Sequence, residues 1–199
     1  MGFLKDIQPA HLILGSASPR RKALMEAMGF SFEVRTQECD EHFPEHLIHY
    51  EITDYLCELK ALQLLHFLKP ESVLLTADTI VWQHGKVLGK PLNKEEAVQT
   101  LKGLSGAWHE VITSVCFATT SSRQIRHEVT RVRFATLEPA LIEAYMQLGE
   151  PLDKAGAYGI QEWIGLVGIE AIEGSYTNVV GLPTRLVYET LRDMGMGRV

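Results

Sequence analysis

The sequence is poor in cysteine: Cys39, Cys57 and Cys116 are the only three in 199 residues, and no C-x-x-C pair occurs. An odd, widely spaced set excludes a disulfide framework and a thiolate zinc site, and it fits a reducing cytoplasm. Long apolar runs are missing too. The longest falls far short of a bilayer, and the opening MGFLKDIQPA has neither the basic start nor the apolar core of a signal peptide. A soluble, cytoplasmic protein with no membrane partner is expected. There is no excess of positive charge: 19 Lys and Arg against 25 Asp and Glu leave a net charge of −6. With no basic, aromatic-lined stripe either, this excludes a protein whose main task is to hold polynucleotide, so basic residues must act locally. Neither G-x-x-x-x-G-K-[ST] nor a strand-linked G-x-G-x-x-G occurs, which excludes two common nucleotide sites. Repeats, low-complexity stretches and separating linkers are also lacking, so a single domain over 1–199 is expected.

What is present is 46% hydrophobic residues, enough for a sizeable core, with strand and helix patterns mixed along the whole length. The class expected is α/β or α+β around a mixed sheet. Residues 12–24, LILGSASPRRKAL, form the organising stretch: a short apolar strand, a small-residue loop, and Pro19 at the first position of a helix. Ser18 is placed to cap that helix. Arg20 and Arg21 then occupy the positive end of the helix dipole, where cations are mildly unfavourable. Two guanidiniums there make sense if an anion joins them, because helix N–H groups and arginine forks both suit phosphate oxygens. The alternative is a solvated helix start whose arginines pair with carboxylates elsewhere.

A second strand is expected over 30–35 and a polar loop over 36–45. Ile48, Ile52, Tyr55, Leu56, Leu59 and Leu62 then recur at helical spacing and predict an amphipathic helix over 46–65. Lys60 falls at the edge of that stripe, where its stem lies on the core and its ammonium reaches a cleft; a solvated helix lysine is the plainer reading. His42, His46 and His49 lack the spacing of a zinc site and read as surface residues. Residues 73–82, VLLTADTIVW, are a strand with one polar interruption, and Asp78 within it is costly unless paired, hydrogen-bonded or metal-bound. It is the foremost catalytic candidate; the alternative is an aspartate accepting backbone bonds at a bulge. Asn93 and Glu96 make a capping box for a helix through Leu101. Strands are expected over 109–119 and 124–134, a helix from Pro139, strands over 167–172 and 177–180, and a last helix from Pro183 to about Met194.

Arg20, Arg21, Lys60, Lys90 and Lys154 thus stand at breaks in the structure, with Asp40, Glu41 and Asp78 as the accompanying carboxylates. Cations that hold phosphates, and carboxylates that carry Mg²⁺ or Mn²⁺ and deprotonate water, suit phosphate ester or anhydride chemistry.

The segments SASPRRKAL, ADTIV, GKPLNKEEA, LSGAWHEVITSV, EPLDKAGAYGIQ and GSYTNVVGLP occur in one order over residues 11–191. Together they resemble the Maf-type nucleoside triphosphate pyrophosphatases, once described as septum-formation inhibitors. The resemblance implies a two-lobed α/β fold with a central cleft, similar to the inosine-triphosphatase architecture, and a homodimer. It implies cleavage of a nucleoside triphosphate between the α and β phosphates with Mg²⁺ or Mn²⁺, in a house-cleaning role. By motif, Asp78 matches the proton acceptor, while Arg20, Thr79 and Gln161 match positions of substrate choice. Ser18, Arg21, Glu41, Lys60 and Lys90 match further cleft positions, and Asp40 or Glu41 would help Asp78 hold the metal. DKAGAYGIQ is similar to the branch acting on dTTP and UTP, with modified pyrimidine triphosphates as further candidates. Two positions depart from the pattern. Glu162 replaces the usual glycine and would repel phosphate or add a bond beside Gln161; Gly15 replaces the usual alanine and is expected to loosen the loop. A nucleotide-binding regulator of cell division that does not hydrolyse is the rival from another class, since the same cradle serves either.

Overall fold

The computed structural model describes residues 7–195, so both ends of the domain expected over 1–199 lie outside the described residues. In chain order it contains β1 (His11–Leu14), α1 (Pro19–Ala27), β2 (Glu33–Val34), α2 (Tyr50–Leu64), β3 (Ser72–Gln83), β4 (Lys86–Leu88) and α3 (Lys94–Leu104). There follow β5 (Trp108–Ala118), β6 (Arg123–Phe134), α4 (Pro139–Leu148), α5 (Trp163–Gly168), β7 (Ile169–Glu173), α6 (Tyr176–Val180) and α7 (Thr184–Asp193). The seven strands belong to one mixed sheet, so the class is mixed α/β. Among the described residues no helix is long and apolar enough to cross a membrane.

The chain forms two compact units and passes between them at 78/79, 112/113, 128/129 and 180/181. The first holds β1 parallel to both β2 and β3, with Leu12 opposite Val73 and Leu14 opposite Leu75. Strands buried on both faces read as continuous apolar runs, which is why residues 12–14 and 73–75 are legible. One core of this unit gathers Leu12, Leu14, Met25, Val73, Leu75, Phe117, Val187 and Leu191; a second gathers Ile13, Cys57, Ala61, Leu64, Leu74 and Cys116.

The second unit packs Leu101, Leu104, Val132, Phe134, Ile142, Tyr145, Tyr158 and Ile164 into its own core. Here β4 pairs antiparallel with the end of β3, Gln83 facing Lys86. The two intervening residues, His84 (φ 51°) and Gly85 (φ 75°), both take positive φ, as a tight hairpin turn requires. Asn93 caps α3 by accepting from the Glu96 amide at 2.8 Å, and the Glu96 carboxylate accepts from the Leu92 amide at 2.8 Å, a reciprocal cap whose return bond falls one residue before the N-cap.

Several elements differ from the sequence reading. The strand expected over 30–35 is only Glu33–Val34, because its sole pairing is with Ile13 and Leu14. Helix α2 starts at Tyr50 rather than 46, since His49 at φ 56° and ψ −127° cannot be helical. Its buried face is Ile52, Thr53, Leu56, Cys57, Ala61 and Leu64, while Ile48, Tyr55 and Leu62 are exposed. Small residues face inward so that the helix lies close to β3, where Thr76 Oγ1 donates to the Cys57 carbonyl at 2.6 Å. Residues 163–168 are helical before β7 begins. Residues 177–180 belong to a helix and not a strand: Ser175 Oγ accepts from the Asn178 amide at 3.3 Å, and Asn178 Nδ2 donates to Val111 O and Thr130 Oγ1. Tertiary partners of Asn178 thus override the β-branched run around it.

Candidate active site

In the first unit the apolar β1 ends at Gly15, and four small residues carry the chain to α1. Gly15 N–H donates to Leu75 O at 2.8 Å, extending the parallel pairing by one residue. A Cβ on Gly15 would stand 2.6 Å from Thr76 Cγ2 and 2.7 Å from Leu64 Cδ1. The glycine therefore permits close approach of backbone to side chains, and the loosening expected of it does not occur.

Ser18 caps α1, its Oγ accepting from the Arg21 amide at 3.4 Å, and no acidic residue lies in the first turn. Ser16, which sequence reading passed over, accepts from the Ser18 amide and from Arg21 Nη1, each at 3.3 Å. Arg21 Nε donates to Gly181 O at 2.8 Å, so its guanidinium is fixed by the loop and by the start of the last segment of this unit. Burial lowers the Arg21 pKa; Asp78 then opposes that shift, Arg20 adds to it, and Glu41 opposes it. Arg21 thus sits within the field of two of the carboxylates that the sequence grouped with it.

Asp78 closes the part of β3 that belongs to this unit and is 7% exposed. It is not an aspartate satisfied at a bulge. Lys60 Nζ donates to Asp78 Oδ1 at 2.5 Å and lies 2.8 Å from Glu41 Oε1. The bond between Thr76 and Cys57, one turn of α2 before Lys60, sets the height at which the lysine meets β3. Burial lowers the Lys60 pKa, but Asp78 and Glu41 more than offset it, and the net shift is upward. The ammonium is therefore a fixed positive charge held between two carboxylates.

Asp40 is placed differently. Its Oδ1 accepts from the His42 amide at 3.1 Å and contacts His42 Nδ1 at 3.2 Å, with the side chain largely in solvent. Among the described residues no set of three or more His, Cys, Asp and Glu is placed to hold a metal ion. A divalent cation of the Mg²⁺ type needs only one or two protein carboxylates when substrate phosphates and water complete its shell. Glu41 and Asp78 fit that requirement for a metal arriving with a nucleotide.

Thr79, Lys90 and Gln161 belong to the second unit. Thr79 follows Asp78 on β3 and is half-buried; Lys90 and Gln161 are exposed. The Gly156 amide donates to Gly89 O at 3.1 Å, tying the GKP segment to the turn at 155–157. Lys154 is 4% exposed and enclosed: Nζ donates to Glu150 O at 2.6 Å and Asp153 Oδ1 at 2.5 Å, and pairs with Glu162 Oε1 at 2.7 Å. The other oxygen of Glu162 accepts from Tyr145 OH at 2.5 Å. The departure at position 162 thus adds bonds within the protein. His109, inside LSGAWHEVITSV, is buried with Nε2 2.6 Å from Tyr158 OH, and burial lowers its pKa to about 4. Sequence reading assigned His109, Tyr145 and Tyr158 no role, because each finds its partner across dozens of residues or through another element.

The family model for Maf-like proteins matches residues 11–194. The chain is similar to the dTTP/UTP pyrophosphatase of Flavobacterium johnsoniae, 48% identical over 180 residues that cover 90% of this chain and 93% of that one. It is also similar to the dTTP/UTP pyrophosphatase of Christiangramia forsetii, 49% identical over 193 residues covering 96% and 98%. In fold it is similar to the Staphylococcus aureus Ham1 protein, with a TM-score of 0.51 at 10% identity over 92% of this chain and 99% of that one.

Proposed function

This chain belongs to the Maf family, and from that membership we propose that it is a pyrophosphatase acting on dTTP and UTP, releasing pyrophosphate and leaving the nucleoside monophosphate. The observation that carries the reading is the Lys60 ammonium shared by Asp78 and Glu41, in the same unit as the arginine-bearing start of α1. An anion-binding helix end with two guanidiniums explains the triphosphate, and a buried carboxylate paired with a lysine explains hydrolysis.

In this reading Ser18, Arg20, Arg21 and the first N–H groups of α1 hold the phosphates. Asp78 takes a proton from the attacking water as its oxygen bonds to the α-phosphorus. The bond from the α-phosphorus to the bridging oxygen breaks, and pyrophosphate leaves with the electron pair. Lys60 and Lys90 balance the charge that develops on it. Thr79 and Gln161 read the pyrimidine edge. A divalent metal, Mg²⁺ or Mn²⁺, held by Asp78 and Glu41 would polarise phosphate oxygens when bound; Asp40 instead has its carboxylate on His42. Cytoplasmic placement is part of the same reading and is supported by three free thiols. So is a homodimer, for which exposed Leu92, Leu148 and Leu166 offer apolar surface.

The test is pyrophosphate release from canonical and modified triphosphates, with and without chelator. We expect dTTP and UTP to lead the panel and chelator to stop turnover. Tight nucleotide binding without release of pyrophosphate would replace the enzyme with the non-hydrolysing regulator.

A further inference from the structure

Gln161 is exposed, and its side chain makes no hydrogen bond among the described residues, yet the residues around it are tightly held. The Glu162 amide donates to Gly159 O at 3.0 Å, closing the turn that carries Gln161. The Glu162 carbonyl accepts from the Gly165 and Leu166 amides at 3.0 and 3.3 Å, opening α5. The Glu162 carboxylate is divided between two elements, Oε1 to Lys154 at 2.7 Å and Oε2 to Tyr145 of α4 at 2.5 Å. Glycine at 159 makes this packing possible: a Cβ there would stand 3.0 Å from each of Gln161 Nε2, Glu162 Cδ and Lys154 Cε.

These contacts bear on how an amide reads a base. A glutamine side chain offers one donor and one acceptor, and rotation by half a turn exchanges them. One orientation suits the N3–H and carbonyl of uracil or thymine; the other suits cytosine. Discrimination between the two therefore requires that the amide be held one way round. One ammonium, Lys154, is shared by two carboxylates, Asp153 and Glu162, and the charge of the Glu162 carboxylate is packed with Gln161 Nε2 around Gly159. That charge lies beside the Gln161 NH₂ group and favours the orientation with nitrogen toward it.

We infer that Glu162 is a specificity-positioning residue, which through Lys154 and Tyr145 fixes the turn bearing Gln161 and biases its amide toward uracil and thymine over cytosine. The inference rests on the pyrimidine-triphosphate reading given above. It also assigns Lys154 as an internal counter-ion for Glu162 and not a ligand for phosphate.

The experiment compares wild type, Glu162→Gln and Tyr145→Phe, with thermal unfolding as a check on folding and dTTP and dCTP as substrates. Glu162→Gln keeps the shape and removes the charge. We expect its KM for dTTP to rise about tenfold with kcat within about twofold, the pattern of lost uniform binding, and its preference for dTTP over dCTP to fall about tenfold. Tyr145→Phe, which removes one anchor, should shift both in the same direction by less. It decides the matter if Glu162→Gln does not fold. Wild-type KM and preference in the folded variants would overturn the inference. If wild type released no pyrophosphate, the proposed activity would fail; binding of the non-hydrolysable α,β-imido analogues of dTTP and dCTP to the same proteins would still decide the role of Glu162.

Discussion

Lys60 Nζ sits 2.5 Å from Asp78 Oδ1, joining the one charged residue buried within β3 to the inward side of α2. Both side chains are largely withdrawn from water, at 17% and 9% exposure. An ion pair placed so deep is weak support for stability, since desolvation offsets attraction, yet losing one partner strands the other.

Asp78→Asn should reduce pyrophosphate release from dTTP by about 10²–10⁴-fold, the usual worth of a general base, while nucleotide affinity changes little. Steady-state turnover together with calorimetric binding checks it. Retained turnover would remove Asp78 from its role.

Lys60→Met leaves Asp78 buried without its ammonium, and a loss of about 2–4 kcal/mol is expected in urea denaturation at neutral pH. Combining it with Asp78→Asn should cost less than the sum of the single changes by more than about 1 kcal/mol, because the two groups share one interaction. Additive losses would mean that the pair is not coupled in solution.

Gly15→Ala places a methyl group 2.6 Å from Thr76 Cγ2 and should destabilise by about 1–3 kcal/mol. Thr76→Ser removes that methyl but keeps the hydroxyl that donates to Cys57 O. The double variant should recover part of the loss, with Leu64 Cδ1 accounting for the remainder. Thermal unfolding of the three proteins is sufficient.

His109 is held neutral by burial, its pKa lowered from 6.5 to about 4. A depressed value in the fold means that the unfolded chain binds the proton first. The stability His109 contributes is therefore complete above pH 6.5 and is lost as pH falls toward 4. Between pH 7 and 5 the loss is about 2 kcal/mol. Denaturation curves at both values, for wild type and His109→Gln, should show that difference in wild type alone.

Much of the fold was legible because its signals are local. Apolar runs marked β1 and β3, Asn93 with Glu96 marked the start of α3, and Pro139 and Pro183 marked the entries to α4 and α7. The misread elements are those where a partner distant in sequence decides. Thr53, Cys57 and Ala61 form the inward face of α2 because they let it approach β3, although Tyr55 and Leu62 are the more hydrophobic. Residues 177–180 are helical because Asn178 is held by Val111 and Thr130.

The chemistry divides along the same line. Residue type and order alone marked a capped helix start that bears two arginines and no carboxylate, and an aspartate too costly to bury unpaired, since capping, dipole and desolvation are properties of a few neighbouring residues. Only the tertiary structure decided that Lys60 is the shared partner of Asp78 and Glu41, that Asp40 turns to His42, and that Glu162 binds Lys154 and Tyr145. The pairings of Lys60 with Asp78 and Glu41, and of Glu162 with Tyr145, join residues 17 to 19 positions apart, and a charge selects its partner by distance in space, which sequence separation does not encode.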